Sequence, residues 1–295
     1  MDRRIWLAAL IALPVAAMAA GTTFATAEDA AQALAAAARA NDRAAVQALF
    51  GAAADDLLPV DEADHLRKFT TAFDVAHQLV SRSATTMVLE VGADNWPFPV
   101  PLAQRDGRWF FDTVAGKEEL LNRCIGRNEL ATLKVVRAYV EAQRDYARHD
   151  HNGDEVLEYA QKFVSAPCAK DGLYWTPELA GEISPLGPLV AFAQGAVAGK
   201  TKAATAPYRG YYFKILTRQG GRAPGGAYCY IINGRMIAGF GLVAWPAEYG
   251  TTGVMTFIVN QQGRVYQKDL GARTDRIAPS MMQYDPDSTW RISPD

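Results

Sequence analysis

The stretch from Gly250 to Gly271 reads GTTGVMTFIVNQQGRVYQKDLG. Its first part is an alternating segment in which Val254, Thr256 and Ile258 share one face of an extended chain. A Gln-Gly pair then interrupts the alternation, and a second extended segment starts at Val265. Alternation on both sides of a glycine-containing turn is typical of a β-hairpin. The C-terminal half of the chain is therefore expected to contain an antiparallel sheet.

Further strand patterns surround this hairpin and predict an antiparallel meander. Alternating segments occur at 211–218, 227–233, 236–246, 254–260 and 264–269. The Asn233-Gly234 pair separates two of them and is the pair preferred in two-residue type I′ turns. Since all the connections are short, a four- or five-stranded antiparallel sheet is expected.

A long helix is predicted before this sheet. Within Gly116–Arg148, apolar residues such as Leu130 and Leu133 recur every three or four positions and form a wide stripe. Gly126 is a candidate break in this helix. Further helical patterns are predicted at 157–164 and 177–198. Together these elements predict a domain, residues 116–295, in which a long helix packs on the meander.

The N-terminal half is predicted to form a smaller domain, residues 28–115. Helical patterns come first, at 30–50 with a break at Asn41-Asp42, and again at 64–73. Strand-like segments follow at 76–83, 85–91, 98–104 and 108–112. The Asp106-Gly107 pair between the last two is a hairpin turn signal. Helices followed by a meander place this domain, like the other, in the α+β class.

Residues 1–27 have the layout of a secretory signal peptide. Two arginines precede an apolar run at 5–20, and Ala-x-Ala patterns end at Ala19 and at Ala27. The run is shorter than the roughly 20 apolar residues that a membrane-spanning helix needs. Cleavage is expected after Ala27, with cleavage near Ala19 as the second choice and an uncleaved anchor or a pilin-type leader as the remaining alternative. The mature protein is expected to be periplasmic or secreted and to lack a membrane span.

The charge balance argues against nucleic acid and anionic membranes as partners. The full chain carries 30 basic and 32 acidic residues, a formal net charge of −2. Without residues 1–27 the balance becomes 28 to 31, a net charge of −3. Proteins that bind phosphate backbones or anionic lipid surfaces usually carry a basic excess. The 268 residues that remain after cleavage suit two domains, at about 150 residues per domain.

Three cysteines, Cys124, Cys168 and Cys229, would enter an oxidising compartment after export. Their odd number leaves at least one thiol unpaired. Cys168 lies in a predicted loop and Cys229 in a predicted strand, and a Cys168–Cys229 disulfide is the pairing we expect. The alternative is three buried or unpaired thiols, which would behave as small apolar side chains.

The sequence DHNGDEVLE at 150–158 matches much of a calcium-binding loop. Its oxygen donors would be the side chains of Asp150, Asn152, Asp154 and Glu158 and the carbonyl of Val156. These occupy positions 1, 3, 5, 9 and 7 of an EF-hand-like loop. Glu155 stands where such loops have Gly, and Gln161 replaces the bidentate Glu. Two interpretations stay open: a weak, stabilising Ca²⁺ site, and a polar turn that caps a helix starting near Glu155.

No residue is assigned a catalytic role. The sequence lacks a G-x-S-x-G elbow, an H-E-x-x-H pair and a phosphate-binding P-loop. His149 and His151 are interpreted as solvated turn residues rather than as metal ligands. Glu119 and its neighbours beside Asp112 are interpreted as favourable charges at the start of a helix.

An aromatic turn is the remaining candidate surface. Trp245, Glu248 and Tyr249 lie in the sequence WPAEYG, where the predicted strand 236–246 ends. Aromatic rings beside an acidic group are suited to contact a glycan or a peptide. Packing in the core is the alternative role for the aromatic residues of the meander.

Many short segments, in order, resemble one family of proteins. The segments are WFFDTVAGK at 109–117, IGRNE at 125–129, LEYA at 157–160, DGLYW at 171–175, PLGP at 185–188, GGAY at 225–228, MTFIVN at 255–260 and VYQKDLG at 265–271. They resemble a bacterial exported family known as domain of unknown function 2950. The resemblance covers essentially the whole mature chain. It implies export, and it brings no activity, substrate or catalytic residue with it.

The C-terminal half alone has a second resemblance. Its long helix, helical insert and meander are similar to the globular part of type IV pilin-like and pseudopilin proteins. In a pilin the long helix begins at the processed N-terminus, whereas here it follows a separate domain. The resemblance therefore implies a pilin-like fold more than assembly into filaments.

The sequence thus predicts an exported α+β protein that binds or scaffolds in the bacterial cell envelope and is not an enzyme. Its expected partner is an envelope protein or a glycan, and Ca²⁺ is the candidate ion. One alternative is an envelope hydrolase that acts on wall or glycan through a non-standard site. The other is a pilus- or secretion-associated component of the pseudopilin type.

Overall fold

A computed structural model describes residues 21–57, 62–167, 169–175, 183–186 and 207–294. The fold is α+β, with helices and antiparallel sheets. The chain forms two compact units, the first ending at Asn122 and the second beginning at Arg123. Residues 1–20 of the predicted signal peptide, Cys168 and nearly all of the predicted helical segment 177–198 lie outside the described residues.

The first unit begins with helices, and side chains cap the starts of the first two. They are α1 (Ala27–Arg39), α2 (Arg43–Phe50), α3 (Ala54–Leu57) and α4 (Glu62–Val75). Thr26 and Asp29 form a capping box at α1, in which each side chain accepts from the other residue's backbone N–H. Asp42 caps α2 by accepting from the Ala45 N–H at 3.0 Å. The predicted break at Asn41-Asp42 is therefore confirmed.

The sheet of the first unit is antiparallel. Its strands are β1 (His77–Ser83), β2 (Thr86–Val91), β3 (Trp96–Pro97), β4 (Leu102–Arg105) and β5 (Arg108–Phe111). The order is β1-β2-β4-β5, and β3 pairs with β2. Asp106 and Gly107 have φ angles of 52° and 74°, as a type I′ turn requires. Phe50 and Phe111 meet edge to face at 5.2 Å in the core between helices and sheet.

Helix α5 (Thr113–Tyr146) has 34 residues and runs unbroken through Gly126. One glycine costs about 1 kcal/mol in a helix interior, which packing along the helix outweighs. Leu133 and Val136 are 7% and 1% exposed, whereas Leu130 is 63% exposed. The predicted apolar stripe is therefore correct at Leu133 and wrong at Leu130. Neither α5 nor any other described helix combines enough length with enough apolar sequence to span a membrane.

The second unit contains a five-stranded antiparallel sheet and two short ladders. The strands are β6 (Tyr211–Leu216), β7 (Arg218–Gln219), β8 (Tyr228–Cys229), β9 (Ile231–Ile232), β10 (Arg235–Met236), β11 (Gly241–Pro246), β12 (Met255–Asn260), β13 (Tyr266–Asp269) and β14 (Arg291–Ile292). The order in the sheet is β14-β13-β12-β11-β6, while β7 pairs with β8 and β9 with β10. The predicted hairpin at 250–271 is confirmed as β12–β13.

The predicted strand 227–233 does not enter this sheet. It is divided at Tyr230, which is fully buried, and its two halves are β8 and β9. The Tyr230 N–H donates to the Thr217 carbonyl at 2.8 Å, and its carbonyl accepts from the Ala238 N–H at 3.1 Å. The first of these bonds extends the β7–β8 ladder, and in the five-stranded sheet β6 pairs directly with β11.

Both faces of the five-stranded sheet are covered. Leu242, Ala244, Phe257 and Val259 belong to the core formed with α5. Val243 and Ile258, which alternate with them, pack on the other side with Tyr284 and with Ala278 of helix α6 (Thr274–Ser280). Strands buried on two faces account for the nearly continuous apolar sequence of β11 and β12.

The prediction of a helix at 157–164 is wrong. This segment is irregular, and partners outside it satisfy its backbone groups. The side-chain amide of Gln143 on α5 accepts from the Ala160 N–H and donates to the Ala160 carbonyl, both over 2.8 Å. The Tyr159 N–H donates to the Met236 carbonyl at 2.8 Å. The helical spacing of its apolar residues reflects packing against the core of the second unit.

Candidate functional site

Trp245 and Tyr212 form a half-buried aromatic pair where β11 ends and β6 begins. The two residues are directly opposite in the β11–β6 register. Their ring centroids lie 5.8 Å apart, and the ring planes are inclined by 42°. Trp245 also packs against the cluster that contains Val243 and Ile258. Neighbouring side chains therefore hold the indole ring while part of it remains accessible to solvent.

The turn after β11, residues 247–254, is fixed by its own hydrogen bonds. The hydroxyl oxygen of Thr252 accepts from the Glu248 N–H at 3.0 Å, and the hydroxyl donates to the Gly210 carbonyl at 2.8 Å. The Glu248 carbonyl accepts from the N–H groups of Thr251 and Thr252, at 3.1 and 2.9 Å. The backbone of Glu248 is thus held firmly, although the residue is exposed.

Glu129 of α5 holds the same turn through its carboxylate. Oε1 accepts from the N–H groups of Val254 and Met255, both at 2.9 Å. The neighbouring Asn128 donates from Nδ2 to the Thr252 carbonyl at 2.9 Å. Hydrogen bonds to an ionised acceptor are stronger than those between neutral groups. We call Asn128, Glu129 and their three backbone partners the α5 clamp.

Glycine at two positions allows the α5 clamp to close. A Cβ atom on Gly253 would lie 2.1 Å from the hydroxyl oxygen of Tyr211. Gly210 has a φ of 75°, and a Cβ there would lie 2.6 Å from Cβ of Thr252. Tyr211 is fully buried, and burial, together with the nearby Glu129 carboxylate, holds the pKa of its hydroxyl above the usual range. Tyr211 therefore stays a neutral donor.

The predicted trio of Trp245, Glu248 and Tyr249 is divided in the structure. Tyr249 donates to Asp269 Oδ2 at 3.1 Å, and this hydrogen bond raises the pKa of Tyr249. Trp245 instead contacts Tyr212, a partner that sequence reasoning did not assign to it. This contact follows from the pairing of β6 with β11. The sequence did not predict that pairing, because another predicted strand lies between the two.

Asp150 organises the loop at 150–158. Its Oδ1 accepts from the N–H groups of Asn152 and Gly153, at 3.1 and 2.8 Å, and its Oδ2 accepts from the Glu155 N–H at 2.7 Å. These backbone hydrogen bonds, with that from Glu155 the strongest, hold the pKa of Asp150 below its usual range. Glu155 has a φ of 65°, the left-handed conformation that usually favours Gly.

The other candidate calcium ligands have protein partners. Asn152 Nδ2 donates to Glu158 Oε1 at 3.3 Å, and Asp154 Oδ1 accepts from the Val156 N–H at 3.0 Å. Arg235 forms an ion pair with Asp154 Oδ2. In the part of the chain that the structure describes, no group of three or more His, Cys, Asp or Glu residues could hold a metal ion. The Ca²⁺ site stays a prediction, and the alternative of a helix cap near Glu155 is wrong, because no helix follows.

The histidines and Asp112 have structural contacts. His151 is half-buried rather than solvated: it stacks on Tyr146 at 4.0 Å, and one ring nitrogen lies 3.0 Å from the Tyr146 carbonyl oxygen. The rings of His149 and His151 lie 6.1 Å apart. Asp112 caps α5, since its Oδ1 accepts from the Ala115 N–H at 3.1 Å.

Two cysteines can be located. Cys229 is an exposed thiol whose Sγ lies 3.7 Å from the Thr217 carbonyl oxygen. Cys124 is half-buried on α5. Because Cys168 lies outside the described residues, the Cys168–Cys229 disulfide stays a prediction.

An ion pair that the sequence did not reveal joins Arg222 to Asp285. The Arg222 N–H donates to Asp285 Oδ1 at 2.8 Å, and its guanidinium donates twice to Oδ2, at 2.9 and 2.6 Å. Burial raises the pKa of Asp285, but the hydrogen bonds from Arg222 outweigh burial and hold it below the usual range. The 63 residues between the partners explain why no local pattern pointed to the pair.

A shallow groove in the first unit was also not predicted. It has a volume of about 520 Å³, and its walls are alanines of α1 and α2 together with Phe24 and Leu49. The signal in the sequence is the recurrence of alanine at positions 33, 36, 37 and 40. That spacing places the methyl groups of Ala33, Ala36 and Ala37 on one face of α1, and Ala40 follows as the C-cap of the helix.

A family model described as "Protein of unknown function (DUF2950)" matches residues 21–292. The resemblance stated from the sequence is thereby confirmed. Comparison with curated proteins gave no match, and comparison with solved structures gave none either. The resemblance of the C-terminal half to pilin-like proteins is not confirmed.

Proposed function

The chain belongs to the DUF2950 family of proteins of unknown function, and we propose that it is an exported binding or scaffolding module of the bacterial cell envelope. The signal-peptide-like sequence at 1–27 supports export. The Trp245–Tyr212 pair, beside the turn that the α5 clamp holds, supports binding. The ligand is an envelope glycan or protein, and the module performs no chemical step on it.

The aromatic pair is the observation that carries this proposal. Trp and Tyr combine a large apolar ring with a polar group, and they are enriched where proteins bind partners. The two rings keep each other in place at 5.8 Å, so little side-chain freedom is lost when a ligand binds. A partner that stacks on a fixed ring pays a smaller entropic cost than one that must first order it.

The turn at 247–254 supplies the polar part of the surface. Glu248 is exposed, and its carboxylate can accept hydrogen bonds from sugar hydroxyls or peptide N–H groups. Its backbone is held by Thr252, which Asn128 holds in turn. A rigid acidic turn next to a fixed aromatic ring suits a ligand that has both apolar faces and hydroxyl groups.

Binding can be tested with purified peptidoglycan sacculi as the probe. The mature protein should sediment with sacculi, and Trp245→Ala should weaken the interaction about 30-fold if it removes about 2 kcal/mol, the usual size for a binding hot spot. Trp96→Ala is the matched control, because Trp96 is 48% exposed and lies in the first unit. Melting temperatures of both variants separate lost binding from lost folding.

The outcomes discriminate between the candidate functions. If folded Trp245→Ala and wild type sediment equally, the aromatic surface is not the binding site. Release of soluble fragments from the sacculi would contradict a non-catalytic module and favour the envelope hydrolase. Retention of the full-length chain in the cytoplasm would contradict export.

A further inference from the structure

Residues 21–26, which precede α1, are built into the first unit. The Thr22 N–H and hydroxyl both donate to the Ala48 carbonyl, at 3.0 and 3.1 Å. Phe24 forms an isolated antiparallel bridge with Trp109 of β5, with N–H···O distances of 2.8 and 2.9 Å. Phe24 also packs on the core of the unit. This segment therefore adds an edge to the sheet and contributes to the fold.

The same segment also contacts β5, α2 and the start of α1. Arg108 donates from Nη2 to the Thr23 carbonyl at 2.9 Å. A Cβ atom on Gly21 would lie 2.2 Å from the Leu49 carbonyl oxygen, so the chain is already in close contact with α2 at residue 21. Thr26 completes the capping box that starts α1, and Ala27, the first residue of that helix, is 5% exposed.

Cleavage after Ala27 would remove all of these contacts. It would delete the Phe24 bridge and the Thr26 cap, and it would leave a new ammonium group at Glu28 in the first turn of α1. A positive charge at a helix N-terminus is unfavourable, because the helix dipole already places partial positive charge there. The Ala-x-Ala pattern that ends at Ala27 thus belongs to the folded domain.

We propose that the leader is instead removed between Ala19 and Ala20, so that the mature protein begins at Ala20. This inference rests on the export that the proposed function includes. Ala17 and Ala19 supply the two small residues that signal peptidases require. Water hydrolyses the Ala19–Ala20 amide bond: its oxygen joins the Ala19 carbonyl carbon as a carboxylate, and the Ala20 nitrogen leaves as an amine and is protonated. The product keeps every contact that residues 21–26 make.

The experiment is N-terminal sequencing and intact mass of the full-length chain expressed in a Gram-negative host and recovered from the periplasm. The expected sequence is Ala-Gly-Thr-Thr, which begins at Ala20. Ala19→Leu should accumulate as uncleaved precursor, whereas Ala25→Leu, at an exposed position, should be processed like wild type. A mature chain that begins at Glu28 would overturn the inference and leave export intact. A chain that stays unprocessed in the cytoplasm would contradict both proposals.

A second measurement compares two purified proteins that begin at residues 20 and 28. The shorter one should melt at least about 5 °C lower, since it lacks the helix cap and the strand bridge. Equal melting temperatures would remove the structural reason for placing the cleavage site at Ala19.

Discussion

Removal of the Glu129 carboxylate is expected to release the turn at 247–254. In Glu129→Ala, the N–H groups of Val254 and Met255 lose the oxygen that accepts from both of them at 2.9 Å. Both residues are only half-buried, so water replaces part of the lost acceptor. Alanine forms helices at least as well as glutamate does, and α5 itself should remain intact.

The magnitude follows from the two orphaned donors. A buried donor without a partner costs about 1–3 kcal/mol, and partial access of water places this pair near the low end of that range. We expect Glu129→Ala to lower the free energy of unfolding by about 2–3 kcal/mol. Glu129→Gln keeps an oxygen acceptor but loses the charge, and its expected cost is about 1 kcal/mol.

The matched control is Glu141→Ala on the same helix. Glu141 is exposed and pairs with Arg144 one turn away at 2.8 Å, an interaction worth about 0.5 kcal/mol or less. Urea unfolding gives the global effect for each variant. Amide hydrogen exchange of the peptides that contain Val254 and Met255 gives the local effect, which should be large only in the two Glu129 variants.

Two results would refute the reasoning. One is a Glu129→Ala protein that is no less stable than Glu141→Ala. The other is wild-type exchange at Val254 and Met255 in a destabilised Glu129→Ala protein, which would show that the loss arises elsewhere.

Three further predictions concern the second unit. Gly253→Ala should lower the free energy of unfolding by about 1–3 kcal/mol through overpacking against Tyr211. The control is Gly221→Ala, where a Cβ would meet nothing within 4 Å, and it should change the free energy of unfolding by less than about 0.5 kcal/mol. Equal urea midpoints for the two variants would contradict this prediction. The pKa of Asp285 is lowered in the folded state. Its carboxylate therefore contributes fully to stability above the unfolded pKa near 3.8, and this contribution is lost as the pH falls through the folded pKa. In Asp285→Asn, the free energy of unfolding should fall less steeply with decreasing pH below about pH 5. Relative to EDTA, calcium at about ten times its Kd should stabilise the protein by about 1.4 kcal/mol and raise its melting temperature by a few degrees. Asp150→Ala should abolish this rise. Identical wild-type melting curves with calcium and with EDTA would rule out the calcium site.

Local patterns predicted the elements of this fold well where the physics is local. The Asp106-Gly107 and Asn233-Gly234 turns require positive φ angles, and these residue pairs tolerate such angles. The β12–β13 hairpin follows from alternation around a short turn. Helix α5 follows from periodicity alone, because packing of its apolar face outweighs the single glycine at 126.

Long-range interactions account for what could not be predicted. Helical spacing at 157–164 was misleading, because an amide from another element satisfies its backbone. The α5 clamp joins Glu129 to residues about 125 positions away in sequence, and nothing near Glu129 distinguishes it from a solvated glutamate. The contact between Trp245 and Tyr212 could not be predicted either, because it depends on a strand pairing that skips an intervening segment.

The contact between Gln143 and Ala160 has a consequence for how the chain tolerates change. The Gln143 amide offers one donor and one acceptor to Ala160, as the backbone of a neighbouring β-strand would. The loop between them is then tied at both ends, and loss of the Gln143 amide would free the end at Ala160. Gln143→Leu should therefore open the stretch after Ala160 to limited proteolysis.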